Sequence, residues 1–568
     1  PFGWRSSSST QIPHLINNLA QNQAGEKGPT TARIVLRKPY VAIEGPDMSR
    51  AQSVRAANPF EPAREKFDHL IDQLERPEAQ VLDHAQLERL IEKDGMEVLR
   101  LLLQGHIDLR GPGDVGPVVV ADGGVEHTHK RTRSRGLMSV FGLVMLSRII
   151  YGTREAERRG LAPLDASLNL PGDRYSHGVR RRIAEQVARG SYDEATKALG
   201  RTTGAAVPKR QAEELAARAA MDFDDFYAER GVDTDAQNTG GVLVITVDGK
   251  GIVMRLDALL EQTRKAAERE KHKLRRRLTK GEKANRKRMA TVASVYTIEP
   301  DVRTPDVIVG DLRGGRPTAP RKRPKPHRKR VWASVAKTPA AVIDEAFAEA
   351  LRRDPRQSKR WVAVVDGNKT QIRLLRENAK RRGIELTIIL DVIHVTEYMW
   401  RAARAFYAET DPAGEAWVDE RFLRILEGKS SNVAAGMRRS ATKRQLDAEK
   451  RRPVDKCADY LLKYGALLHY DEYLAAGLPI ASGVIEGACR HLVKDRMDIT
   501  GARWTVEGAE AVLRLRALRA SGDFDAYWAF HEDRERASNH EIRYGGHEPP
   551  SIPVLRPDGR PVLRLVRS

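Results

Sequence analysis

Three acidic residues stand where chain geometry makes them chemically informative. The apolar run Val242-Leu-Val-Ile-Thr-Val247 reads as a buried strand that Asp248 ends, with Gly249 next. Trp361-Val-Ala-Val-Val365 is a second such run, ended by Asp366 and Gly367. Glu486 lies far downstream in a helical segment, Val484 to Met497. Carboxylates at the ends of neighbouring buried strands converge at one sheet edge, and a Glu on a helix packed there completes the cluster. Three close carboxylates repel one another unless a divalent cation neutralises them. Oxygen-only ligands select Mg2+ or Mn2+. Two such ions about 4 Å apart activate a water and stabilise the leaving oxygen in phosphodiester cleavage. A single Asp-Gly after a strand is ordinarily a turn; two at strand ends plus the helical Glu carry the argument.

The elements around these residues have a definite order. Ala290–Ile298 and Val331–Val335 read as strands, Ala340–Arg353 and Gln371–Arg382 as helices, and Glu385–Leu390 as a further strand. The order is strand-Asp, strand, strand, helix, strand-Asp, helix, strand, then helix-Glu, which is that of an α/β RNase H-like core. The rest divides into a leader, 1–47, expected to be disordered with the natural start near Met48; a helical region, 48–110; a small β-rich region, 111–160; a helical region, 161–235; the first part of the core, 240–395; a helical insertion, 396–475; the core helix with Glu486, 476–520; and a tail, 521–568. The expected fold class is thus a multi-domain α+β chain around an α/β core.

Charge points to a polyanion. The 568 residues carry 98 Lys and Arg against 77 Asp and Glu, a formal +21. Cys457 and Cys489 are the two cysteines, too few for a disulfide scaffold or a multi-cysteine zinc module, and a reducing, cytoplasmic setting is expected. The most apolar run, Leu137–Tyr151, is too short and too interrupted to span a membrane. Between Arg264 and Arg288 there are thirteen Lys and Arg, ending in Arg286, Lys287 and Arg288; the run 321–330 has seven, including Arg321, Lys322, Arg323 and Lys325. Both flank strands of the core and are expected to line a channel for DNA. In 161–235, Ser191-Tyr-Asp-Glu194 is a capping box, and Pro208 suits the first turn of a helix from Lys209 to Tyr227. Two helices across a short turn, with Arg180, Arg181 and Arg182 before them and Lys209 and Arg210 opening the second, suggest a helix-turn-helix that binds DNA.

The stretches LDASLNLPGDRYSHGVRRRIAEQVARGSYDEA, TVDGKGIVMR, GEKANRKRMATVASVY, VVDGN, LDVIHVTEYMW and SGVIEGACRHLVKDRMDITGARWTVEGAEAVLRLRAL resemble the ISKra family of bacterial insertion-sequence transposases, of the DDE class, over roughly 50–545. The resemblance implies an RNase H-like catalytic domain with an all-helical insertion before the Glu. It also implies excision and integration of a DNA element through its terminal repeats. Asp248 matches the first Asp and Glu486 the Glu. Two residues compete for the second Asp. Asp366 ends the fourth strand, where the fold places it. Asp391 opens Asp391-Val-Ile-His394, which resembles the [C/D]xxH signature of Mutator-like and hAT-like transposases, where the signature follows the second Asp. Asp366 is therefore assigned as metal ligand with Asp248 and Glu486, and Asp391 and His394 as supporting residues. Expected partners are two Mg2+ or Mn2+ ions, element-end and target DNA, and further copies of the chain on that DNA.

Four other positions belong to this set of expectations. Arg490 and Lys494 follow Glu486 by four and eight residues and are expected to bind phosphate. Cys489 is expected to pack, and Trp504 to stack on a displaced base or fill the core. His127 and His129 form an HxH with no neighbouring partner. The readings that compete with a transposase are an RNase H-like nuclease or resolvase without strand transfer, and a DNA-binding derivative that has lost catalysis. The intact acidic positions weigh against the derivative. The separate DNA-binding regions and the long insertion weigh against the simple nuclease.

Overall fold

The computed structural model describes residues 58–154, 160–269, 278–312, 323–499 and 501–556. The strands are β1 (Val119–Val120), β2 (Glu126–His127), β3 (His129–Ser139), β4 (Gly142–Gly152), β5 (Val242–Val253), β6 (Lys287–Ile298), β7 (His327–Ser334), β8 (Arg360–Val365) and β9 (Leu386–Leu390). The last five form one mixed sheet in the order β7-β6-β5-β8-β9. β6 runs antiparallel to β5 and to β7, while β8 and β9 run parallel to β5. The long helical crossovers before β8 and β9 supply the connections that parallel pairing requires.

The near-unbroken apolar runs of β5 and β8 follow from cover on both faces. Leu243 and Trp361 are register partners, and Trp361 packs on Phe347 of the helix Pro339–Arg353. Asp248 has the opposite parity on β5 and faces the segment Gly483–Met497. Thr246 is the polar residue of the run Val242–Val247; it is fully buried, and its hydroxyl pairs with that of Ser294 at 2.6 Å.

Three expectations change. Asp248 does not end its strand: β5 continues to Val253 against β6, and only its pairing with β8 stops, at Thr246 opposite Val364. The region 161–235 is not separate from the core. Val179, Ile183, Leu199, Ala212 and Leu215 share one apolar cluster with the sheet and with the helix Val506–Ser521. The tail is not a tail up to His540: Phe524–Asn539 is a helix with Tyr527, Trp528 and His531 buried. Its apolar positions are few, so periodicity alone concealed it.

The capping box at Ser191 is present, with Ser191 N donating to Glu194 at 2.9 Å and Glu194 N donating back to the Ser191 hydroxyl at 3.2 Å. Ahead of these elements, the helices Glu61–Glu75 and His84–Leu109 pack together, and the second rests on the β3–β4 hairpin. The insertion consists of the helices Pro412–Leu426, Ser430–Lys443, Ala448–Lys463 and Tyr470–Ala475. Among the described residues no helix is long and apolar enough to cross a membrane.

Candidate functional site

Register places three aspartates in a row. Val365 and Leu390 are partners in the β8–β9 pair, so Asp366 and Asp391, the next residue on each, leave the sheet side by side. Thr246 and Val364 are partners in the β5–β8 pair, so Asp248 and Asp366, two residues on, stand at the same level. The middle of β5, where its pairing with β8 stops, and the carboxyl ends of β8 and β9 thus each deliver one acid to one edge.

The Asp366 turn is held tightly. Asp366 Oδ1 accepts the Asn368 amide at 2.8 Å, and Asn368 caps the helix Lys369–Arg382. Gly367 has φ +96°, which a side chain would strain, and a Cβ there would press on Tyr460 and Leu390. Tyr460 donates to the Asp366 carbonyl at 3.1 Å, and Tyr464 donates to that of Gly367. Tyr470, fully buried, donates to the Leu390 carbonyl at 2.7 Å. The insertion therefore clamps the backbone behind two of the three acids.

Asp391 is fully buried and ties two elements together. It opens the helix Val392–Ala403, accepting Ile393 N at 2.8 Å on one oxygen. Its other oxygen accepts Ser482 N at 3.1 Å and the Ser482 hydroxyl. Ser482 immediately precedes the helix Gly483–Ala488, so Asp391 fixes the start of the element that carries Glu486. Ligand atoms of Asp391, His394 and Glu486 all lie within 4.8 Å of one another. Burial raises the Asp391 carboxyl above the usual carboxylate range. Glu486 is raised too, by burial and then by the negative charge of Asp391, with Asp248 adding to it.

Asp248 joins this group through a cysteine. The Cys489 thiol, one turn after Glu486, donates to Asp248 Oδ2 at 3.1 Å, and Gly249 N donates to Oδ1 at 2.6 Å. Burial and the neighbouring Asp248 push the thiol far up, so it stays protonated and remains a donor. Residues Cys489–Lys494 form one wide π-helical turn directly after this contact.

Among the described residues the group with the spacing of cation ligands is Asp391, His394 and Glu486; Asp248 and Asp366 are not part of it. Among the described residues neither Glu486 nor the second oxygen of Asp366 accepts a hydrogen bond from the protein, and both are partly or fully open to solvent. All carboxylate donors are hard, and His394 adds a nitrogen that Mn2+ tolerates well.

The other expected residues divide. Lys209 and Arg210 are exposed at the start of the helix Lys209–Ala219, with Arg210 3.4 Å from Glu214. Arg182 is exposed, Arg181 is paired with Asp525, and Arg180 is buried against Glu535 and Asp173. Arg180 therefore holds helices together and is closed to DNA. Arg286 is buried, Lys287 exposed, and Arg288 donates to the Ala258 carbonyl at 3.4 Å. Arg321 and Lys322 lie outside the described residues. Arg323 pairs with Asp311 at 2.9 Å, and Lys325 is exposed. Arg490 and Lys494 are exposed, Arg490 lying 3.9 Å from Asp495. Trp504 is buried, donates to the Met497 carbonyl at 3.0 Å and sits under Arg496, so its face is not offered to a base. His127 is buried and bonds the Tyr151 carbonyl at 3.1 Å.

Sequence reasoning passed over Tyr460, Tyr464, Tyr470, Ser482 and the bond made by Cys489. The i, i+4 spacing of Tyr460 and Tyr464 was a signal for a shared helix face; the others had none. No protein-family model and no curated protein matches the chain.

Proposed function

We propose that this chain is a DDE-class DNA transposase with an RNase H-like core, acting at the ends of a mobile element. One observation carries the reading. A mixed sheet whose first strand is central, with antiparallel pairing on one side and parallel pairing on the other, carries Asp248 and Asp366 on neighbouring strands, and the helix Gly483–Ala488 carries Glu486. The net charge of +21 supports a polyanionic substrate.

Asp248, Asp366 and Glu486 are the proposed ligands of two Mg2+ or Mn2+ ions. Bound there, the ions would supply a polarised water or 3′-hydroxyl and charge stabilisation at the leaving oxygen. The protein's own part is arrangement. Cys489 orients Asp248, the Tyr460 and Tyr464 hydroxyls hold the Asp366 turn, and Asp391 sets the Glu486 helix through Ser482. Asp366 is preferred over Asp391 as ligand because Asp391 is fully buried with both oxygens already accepting protein donors.

The test is to incubate the chain with pre-cut element-end duplex, target DNA and Mg2+, the end being taken from inverted repeats flanking the gene. Joined product is expected, and Asp248→Asn, Asp366→Asn and Glu486→Gln should each remove it while DNA binding remains. Nicking without joining would replace the reading by a nuclease, and binding without either by a DNA-binding derivative.

A further inference from the structure

We propose that the DNA backbone leaves the carboxylate edge along a single cationic track over the far end of β5, rather than through the basic run 321–330. The proposal rests on the DNA reading above and adds the route.

Among the described residues of the run 321–330, the three arginines are engaged within the chain, while Lys325 and Lys329 are exposed. Arg323 pairs with Asp311, Arg328 with Asp233 at 3.1 Å, and Arg330 is buried against Glu349 at 2.8 Å with its plane over the Tyr227 ring. Ion-paired guanidinium groups that fix the fold have little left to offer a phosphate.

The far end of β5 is different. A cleft of about 120 Å3 lies between β5 and the π-helical turn, and Lys250, Lys287 and Lys494 line it. Lys250 follows Asp248 by two residues on the same face of β5, which puts this cleft beside Asp248. Next comes a cleft lined by Arg255, Arg286 and Arg503, then one of about 470 Å3 that shares Arg255 and Arg503 and ends at Lys209. Backbone bonds join these walls: Met254 N donates to Arg286 O at 2.9 Å, and Arg255 N donates to Trp504 O at 2.8 Å. Lys209, Lys250, Arg255, Lys287 and Lys494 make no ion pair among the described residues. Acids do occur on the rim, Asp498 in the first cleft and Glu213, Glu214 and Glu507 in the last, and Glu214 is engaged by Arg210.

The track therefore starts at the proposed cleavage site and ends where the helix Lys209–Ala219 begins, the element expected to read the repeat. Lys209, Lys250, Arg255, Lys287 and Lys494 suit phosphates rather than base edges; of the two aromatic residues that also line the last cleft, Tyr192 and Trp504, Trp504 is buried beneath Arg496. Its occupant is the duplex backbone between the cut position and the repeat.

The experiment uses the full chain carrying Arg255→Gln, Lys287→Gln and Lys494→Gln together, beside a control with Lys325→Gln and Lys329→Gln. Binding to element-end and random duplexes is measured without divalent cation over a salt series, with circular dichroism confirming the fold. Each lost phosphate contact flattens the log–log salt slope by about 0.9, so the triple variant should lose up to about 2.7 of slope. Between 50 and 200 mM salt the wild type should then lose about 40-fold more affinity than the triple variant. Both duplexes should weaken by the same factor, and the control should match the wild type. An unchanged slope in the triple variant, or a loss confined to the element end, overturns the track and leaves the DNA reading standing. A wild type that binds no duplex overturns the DNA reading itself.

Discussion

Asp366 and Asp391 stand side by side at the ends of β8 and β9, yet their surroundings predict opposite consequences of the same change to Asn. In Asp391→Asn one oxygen remains to accept Ile393 N, but the new amide group turns a donor toward Ser482 N. The Ser482 hydroxyl can rotate to accept, whereas the buried Ser482 amide is left without an acceptor, at a cost of about 1–3 kcal/mol. An unfolding entropy near 2.1 cal/mol/K per residue makes each kcal/mol worth roughly 1 °C in a chain of 568 residues, so melting should fall by about 1–3 °C. In Asp366→Asn the oxygen that accepts Asn368 N is retained and the position is open to solvent, so melting should stay within about 0.5 °C, the shift expected for a surface change. Cleavage should respond the other way round. Removing a carboxylate from the proposed cation site forfeits roughly 4 kcal/mol of transition-state stabilisation, about a 1000-fold loss of rate, whereas Asp391→Asn should reduce cleavage only in step with its looser Glu486 helix. Calorimetry and a single-turnover cleavage assay on the same preparations read both quantities. Lost cleavage at unchanged melting in Asp391→Asn, with cleavage kept in Asp366→Asn, would refute the assignment and make Asp391 the ligand.

The remaining expectations probe other parts of the chain. Cys489→Ala should raise the Mg2+ concentration for half-maximal cleavage by about 10-fold with DNA binding unchanged, and Cys489→Ser, which keeps a donor toward Asp248, should restore it; equal behaviour of the two variants would reduce Cys489 to packing. Glu349 is buried with Arg330, Arg352 and Arg353 around it; burial pushes its carboxyl up, but these cations, Arg330 foremost, hold it well below the usual range. A depressed folded pKa gives stability that is complete above the unfolded value near 4.3 and lost as pH falls below it. Glu349→Gln should therefore cost about 3–5 kcal/mol at neutral pH and show a flatter acid limb in denaturation, and an acid limb as steep as the wild type's would count against this. Residues 160–235 alone should give no cooperative melt, because their apolar face is completed by Val506–Ser521; a folded fragment would restore an independent DNA-binding domain.

The elements that bear the three acids were legible because buried parallel strands read as continuous apolar runs, and for β8 Asp366-Gly367 marks where the strand stops. Val242–Val247, Trp361–Val365 and Glu385–Leu390 all correspond to strands, and their neighbours on the sheet follow from the order of elements. The extension of β5 past Asp248 was not legible, since Gly249 and Gly251 look like a turn and only the pairing with β6 keeps them extended. Charge was the poorest guide at the level of single residues. Arg180, Arg328 and Arg330 look like solvated or DNA-facing cations in sequence, and their acidic partners lie 19 to 355 residues away. The tyrosine clamps behind Asp366 and Leu390 are likewise invisible in one dimension, because each joins the insertion to a strand end some 80 to 97 residues earlier.

The shared core has a consequence for how the chain is made. Arg180 meets Glu535 across 355 positions, and Asp222 meets His531 across 309. At about 5–20 residues per second, a ribosome needs roughly 20–70 s to pass from one partner to the other. Throughout that interval the helices from His177 to Ala219 lack the cover that Val506–Ser521 and Phe524–Asn539 supply, and Arg180 lacks its Glu535 partner. Closure of this part of the core is thus a late, long-range step. By the same order of synthesis, the three acidic positions can come together only after Glu486 has been made.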